Sequence, residues 1–170
     1  TTGSVTIRRQ RKVGRTYLLA AGIDCYPEPY QLQCARRDAE AFAEYAKRDL
    51  GLADDQVTVL LDAQASERSL RRALSSLADR MKNEDSAVIF LAGHGMKDDR
   101  GRAYFLAADS EPGDLPATGM PMERVGDMLG DLPGERLLVI ADVCHSRNIH
   151  RGERGQRAAS ELLTGLEGKG

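Results

Sequence analysis

The chain has 170 residues, 41% of them hydrophobic, with 24 lysines and arginines against 26 aspartates and glutamates and a formal charge of −2. That length is one domain's worth, enough to bury a sizeable core, and the charge balance argues against a nucleic-acid binder that works by neutralising phosphates. No apolar stretch approaches the ~20 residues that span a bilayer, nothing resembles a signal peptide, and three cysteines without paired spacing point to free thiols in a reducing, cytoplasmic setting.

Residues 1–15 carry Arg8, Arg9, Arg11, Lys12 and Arg15 and read as a basic N-terminal arm. Residues 17–21 are a buried-strand candidate that stops at Gly22-Ile23-Asp24; Pro27 and Pro29 bar its continuation, because proline has no ladder donor. From Ala35 to Leu50 the apolar positions fall at helical spacing and Gly51 sits where a C-terminal cap belongs. A second strand covers 56–61 and closes at Asp62. Ser66 caps a helix that runs to about Met81, with Leu70, Ala73, Leu74 and Leu77 on one face. A third strand covers 87–92. The polar turn 97–102 and residues 103–106 read as a small hairpin, 121–129 as a short helix and 136–141 as a fourth main strand. Strands alternating with helices predict βαβ units, hence an α/β fold with a mainly parallel sheet covered on both faces. Beyond Cys144 no further strand is visible, so the fourth strand is expected to leave a sheet edge for another polypeptide.

The chemistry is concentrated where two apolar runs end. Residues 88–92 run into Gly93-His94-Gly95, and residues 137–141 into Asp142-Val143-Cys144-His145-Ser146. Ligands of open α/β sheets bind outside the carboxyl ends of the strands, so a thiol and an imidazole delivered there can meet in space. A free thiol is only a few per cent thiolate at neutral pH, so Cys144 needs a base, and His94 is the best placed. His145 is adjacent to Cys144 and points to the opposite face of an extended segment; His150 lies in an arginine-rich tail. Gly93 and Gly95 read as a tight turn around His94 that leaves an amide for a developing oxyanion, with the Cys144 amide as second donor. Asp142, two residues before Cys144, falls on the same strand face roughly 6–7 Å away. A metal site built from His94, Cys144 and His145 lacks any paired ligand spacing, so no metal is expected. Asp98 and Asp99 alone supply too few oxygens for calcium, and no cofactor is called for.

The segments Gly22-Ile23-Asp24-Cys25-Tyr26, Arg37-Asp38-Ala39, Phe90-Leu91-Ala92-Gly93-His94-Gly95 and Asp142-Val143-Cys144-His145-Ser146 resemble, in order and spacing, the caspase-like cysteine peptidases. The metacaspases and bacterial orthocaspases are the most similar branch. A histidine about 50 residues before the nucleophile is a caspase signature. The resemblance implies a caspase-like three-layer fold whose last strands are missing from this chain, with a peptidase large-subunit domain over 16–150 and an intersubunit linker or tail over 151–170. It implies a His94–Cys144 dyad, an oxyanion hole from the amides of Gly95 and Cys144, and an S1 pocket for arginine or lysine lined by Asp38 and Asp142, with Asp24 as a further pocket candidate. Carboxylates suit that pocket on chemical grounds, since they pair bidentately with a guanidinium. The implied activity is a cytoplasmic endopeptidase acting on proteins in a bacterial cell-death, stress or defence pathway. Its small subunit would come from the same precursor or a separate chain, and it would need neither nucleic acid nor membrane. Arg147, Arg151, Arg154 and Arg157 are the candidate self-cleavage sites. The competing expectation is a catalytically silent caspase-like interaction module.

Overall fold

The computed structural model describes residues 14–145, the side chains of Cys144 and His145 excepted. The expectations for the basic arm before residue 14, for His150 and for the candidate cleavage sites Arg147, Arg151, Arg154 and Arg157 fall outside the described residues.

Four parallel strands form the centre: β1 (Thr16–Gly22), β2 (Val57–Leu61), β3 (Ser86–Lys97) and β6 (Arg136–His145), in the order β2-β1-β3-β6. Two short strands, β4 (Ala103–Phe105) and β5 (Met120–Pro121), extend the sheet antiparallel beyond the C-terminal half of β3. Helix α1 (Ala35–Asp49) covers one face, and α2 (Glu67–Arg80) covers the other with α4 (Met122–Gly130); α3 (Leu115–Thr118) is a single turn. The result is a three-layer caspase-like fold with a mixed sheet.

Small side chains set the α1 layer. Ala35, Ala39, Ala43 and Ala46 line its buried face, and a Cβ on Gly22 would collide with the Ala35 carbonyl and the Ala39 methyl. The helix therefore lies close against β1, and Phe42 stacks on Phe90 with ring centroids 4.9 Å apart. Leu70, Leu74 and Leu77 form the buried stripe of α2 at i, i+4, i+7. Each such side chain contributes about 1.5–3 kcal/mol on burial. Ser66 caps α2, its hydroxyl accepting from the Ser69 amide at 3.2 Å. Gly51 follows α1 at φ +69°, the left-handed conformation expected of a residue that closes a helix.

Two expectations need correction. β3 does not turn at Gly93-His94-Gly95 but continues as strand to Lys97, and neither glycine has a positive φ. Partners on both edges explain this: Gly95 pairs with Phe105 of β4 and with His145 of β6, and ladder bonds outweigh the weak strand preference of glycine. β6 likewise passes Ala141 and reaches His145. The short elements α3 and β5 were not foreseen. Their segment is held by Thr118, whose hydroxyl accepts from the Glu111 amide at 2.8 Å and donates to the carbonyls of Glu111 and Asp114 at 3.2 and 2.8 Å.

Candidate active site at the carboxyl ends of β3 and β6

Register brings the two reactive residues together. His94 of β3 and Cys144 of β6 are direct partners in the parallel ladder, as are Ala92 and Asp142, and neighbouring strands lie about 4.8 Å apart. Fifty positions of sequence are thus closed to a single rung.

Tyr26 fixes the other edge of His94. β1 leaves β3 after Gly22 pairs with Ala92, the Ile23 amide donating to the Ala92 carbonyl at 3.1 Å. The Leu106 amide, just past the end of β4, takes up the same edge by donating to the His94 carbonyl at 2.9 Å. Between them the Tyr26 hydroxyl accepts from the His94 amide at 3.2 Å and donates to the Leu106 carbonyl at 2.8 Å. One side-chain oxygen bridges the seam between two strands. A Cβ on Gly93 would lie 2.6 Å from that oxygen, so glycine is required here by close approach rather than by a turn. Burial pushes the Tyr26 phenol well above its ordinary range, so it remains a protonated donor.

The imidazole is oriented by two aromatic neighbours and one carbonyl. His94 is buried, its ring 4.9 Å from that of Tyr26 and 6.3 Å from that of Tyr30. His94 Nε2 lies 2.6 Å from the Tyr30 carbonyl oxygen. A carbonyl only accepts, so Nε2 carries the hydrogen and Nδ1 is the nitrogen with the lone pair. Backbone groups of one strand residue point to the same edge and those of the next to the other. Since His94 uses the β4 edge, the Gly95 amide points toward β6.

Around this centre stands an acidic turn that sequence reasoning only partly identified. Asp62, at φ +45°, accepts from the amides of Asp24 and Cys25 at 2.8 and 3.0 Å, with the Arg36 guanidinium 3.6 Å from its second oxygen. Burial alone would raise its pKa, but the two amides, the Cys25 thiol and the Arg36 charge together outweigh it and hold the carboxyl below its ordinary value. The Asp62 charge in turn raises the pKa of the exposed Cys25 thiol. Asp24 Oδ1 accepts from the Ala35 amide at 2.8 Å and so caps α1 from outside the helix. A left-handed aspartate that closes a strand is a signal the sequence did carry, since aspartate and asparagine tolerate that conformation.

Asp38 sits in the first turn of α1, half-buried, with Arg37 3.9 Å away. Asp142 is exposed on β6. It shares a strand face with Ile140, two residues before it, which packs in the α1 cluster, so both carboxylates stand on the α1 side of the sheet. Asp98 is committed elsewhere: it accepts from the amides of Arg100 and Arg102, the Arg102 side chain and the Tyr104 hydroxyl. Among the described residues no three histidines, cysteines, aspartates or glutamates are grouped to hold a metal ion, and no helix is long and apolar enough to cross a membrane.

The caspase-domain family model matches residues 15–165. The chain is 27% identical over 150 residues to Metacaspase-1 of Sclerotinia sclerotiorum, a match covering 78% of this chain and 34% of that protein. It is 26% identical to Metacaspase-1 of Ajellomyces capsulatus, over 78% of this chain and 41% of that one. Among solved structures, protein GSU0716 from Geobacter sulfurreducens superposes with a TM-score of 0.64 at 21% identity, covering 79% of this chain and 52% of that chain. The chain therefore spans about a third to two fifths of the length of these metacaspase relatives.

Proposed function

The chain belongs to the caspase-domain family, with metacaspases among its relatives, and we propose that it is a cysteine endopeptidase cutting after arginine or lysine. The observation that carries this reading is the rung between His94 and Cys144. In the proposed reaction His94 Nδ1 takes the proton of the Cys144 thiol, while the Tyr30 carbonyl on Nε2 holds the ring and supports the imidazolium that forms. The thiolate adds to the scissile carbonyl, and the amides of Gly95 and Cys144 are assigned to receive the oxyanion, which requires them to leave the β3–β6 ladder when substrate binds. The imidazolium returns its proton to the leaving amine, and water then hydrolyses the acyl-enzyme with His94 as base.

Asp38 and Asp142 give the P1 side chain an anionic seat on the α1 side, and a guanidinium fits paired carboxylates. Asp24 stays outside this proposal's core, since its carboxylate already serves the α1 amide. Among the described residues no strand pairs with the outer edge of β6, and Leu138 on that strand is 53% exposed. We assign that edge to a further polypeptide, a small subunit from the same precursor or a separate chain, that completes the cleft. Activation by cleavage after Arg147, Arg151, Arg154 or Arg157 follows from the same P1 preference.

A fluorogenic panel with Arg, Lys, Asp and Leu at P1 tests this, on wild type and on Asp142→Asn. Arginine and lysine should be preferred and the preference should weaken in Asp142→Asn. Preference for Asp overturns the pocket assignment. With the completing polypeptide present, failure of an arginyl electrophile to label Cys144 overturns the peptidase reading in favour of a silent interaction module.

A further inference from the structure

A cleft of about 470 Å³ opens between the start of α2 and the segment that follows β4, lined by Glu67, Arg68, Arg71, Arg72 and Asp109. It lies on the face opposite α1, at the carboxyl end of the sheet. Both walls are fixed. The Ala108 amide donates to the Ala65 carbonyl at 3.0 Å and the Glu67 amide to Asp109 Oδ1 at 2.8 Å. Asp109 follows Leu106 by three residues, a span of at most about 11 Å, and Leu106 is bonded to His94. The cleft is therefore a neighbour of the candidate active site along one short segment.

Its charge runs against the helix that carries it. Three guanidiniums occupy the first two turns of α2, where the helix dipole is positive and acidic side chains are favoured. Arg68 and Arg72 are also like charges at i, i+4, a repulsive spacing. Arg71 is offset by Glu67 at 3.3 Å, and Asp109 is engaged as the cap of the Glu67 amide. Arg68 and Arg72 make no ion pair among the described residues. Glu67 and Asp109 offset part of this charge and leave Arg68 and Arg72 as its uncompensated remainder, a local departure of the kind that accompanies functional sites.

We propose that this cleft is a docking site for an acidic peptide segment, with Arg68 and Arg72 each taking a carboxylate by paired hydrogen bonds. Glu67 and Asp109 in the same cleft oppose a continuous phosphate backbone, and no aromatic side chain lines it for base stacking. Spaced carboxylates therefore fit better than nucleic acid. At the same end of the sheet as the candidate active site, though on its opposite face, the segment's natural source is a protein substrate long enough to reach both, an assignment that rests on the peptidase reading; binding itself does not.

The test is fluorescence anisotropy of a fluorescein-labelled hexaglutamate peptide with the full chain. Binding should weaken as salt rises and fall at least about tenfold in Arg68→Glu/Arg72→Glu. Arg48→Glu, on the helix covering the other face, should bind as wild type. The double variant places acidic residues where the α2 dipole favours them, so its melting temperature should hold or rise and lost binding cannot be blamed on misfolding. Equal binding by wild type and the double variant overturns the proposal, as does tighter binding of a single-stranded oligonucleotide that displaces the peptide. With binding established, a protein substrate bearing an acidic stretch should show a raised KM in the double variant while a short arginyl peptide does not. Loss of this last contrast alone overturns the substrate assignment and leaves the docking site standing.

Discussion

The two ends of the parallel sheet each organise a polar cluster around carboxylates, by different means. At the amino ends, Asp85 is 3% exposed and accepts from the amides of Arg15 and Lys82 at 2.7 and 2.8 Å, while its own carbonyl accepts from Glu135. Every partner is backbone, so one residue, through its carboxylate and its own carbonyl, ties the starts of β1, β3 and β6 into a fixed knot. At the carboxyl ends the partners include side chains: the Tyr26 hydroxyl, the His94 ring, and Asp62 in a left-handed conformation. Backbone partners give rigidity without chemistry. Side-chain partners add conformational cost and groups that move protons.

The comparison breaks most visibly if substitutions at the two ends have interchangeable effects. The largest expected effect is on turnover: Cys144→Ala and His94→Ala should each lower amidolysis by about a thousandfold or more, as members of a catalytic unit do. The melting temperature of Cys144→Ala should stay near wild type. Asp85→Ala comes next and acts in the opposite sense. It leaves two amide donors without a partner, each costing about 1–3 kcal/mol when buried, so denaturant unfolding should show a large stability loss. The KM of the surviving folded enzyme should be unchanged; a raised KM at equal stability would show that the amino-end knot is not merely structural.

A smaller effect sharpens the role of Tyr26. Gly93→Ala should cost about 1–3 kcal/mol, because the new methyl meets the Tyr26 oxygen. In Tyr26→Phe that oxygen is gone, so the same substitution should cost less, giving a coupling above about 0.5 kcal/mol in a double-mutant cycle. Additivity would refute close approach as the reason for this glycine.

The smallest effect concerns acid. The Asp62 carboxyl is held below its unfolded value of about 3.9, so its stabilisation is complete above that pH and is lost as pH falls through the lower folded value. Asp62→Asn tolerates the positive φ and retains an acceptor oxygen. Its melting temperature should therefore lie below wild type at pH 7 and fall less steeply from about pH 4 downward, so that the two converge in acid.

The strands and long helices were legible because their signals are local: the leucine stripe of α2, the Ser66 cap, the apolar runs of β1 and β3. The fold family was legible through four short motifs in order. What was not legible depends on partners distant in sequence. Gly93 and Gly95 look like turn residues in isolation and become strand because β6 supplies a rung to each and β4 a second one to Gly95. Tyr26 sits in a proline-flanked loop, and nothing local shows that its hydroxyl closes the seam beside His94. Asp24 carried two readings, and a single bond to Ala35 gives it a helix-capping role. Nothing local shows that Arg68 and Arg72 face an opposing wall, which the segment after β4 supplies.

The register of the central strand also constrains folding in time. Every rung between β1 and β3 joins residues seventy positions apart, and every rung between β3 and β6 joins residues fifty apart, ending with His94 beside Cys144. Such non-local pairings form late, because loop-closure entropy must be overcome before their contacts form. The histidine and the thiol therefore meet only when a ladder between residues fifty positions apart has closed. A chain still collapsing, or still emerging from synthesis, holds both residues but not the pair, so the candidate site arrives together with that ladder.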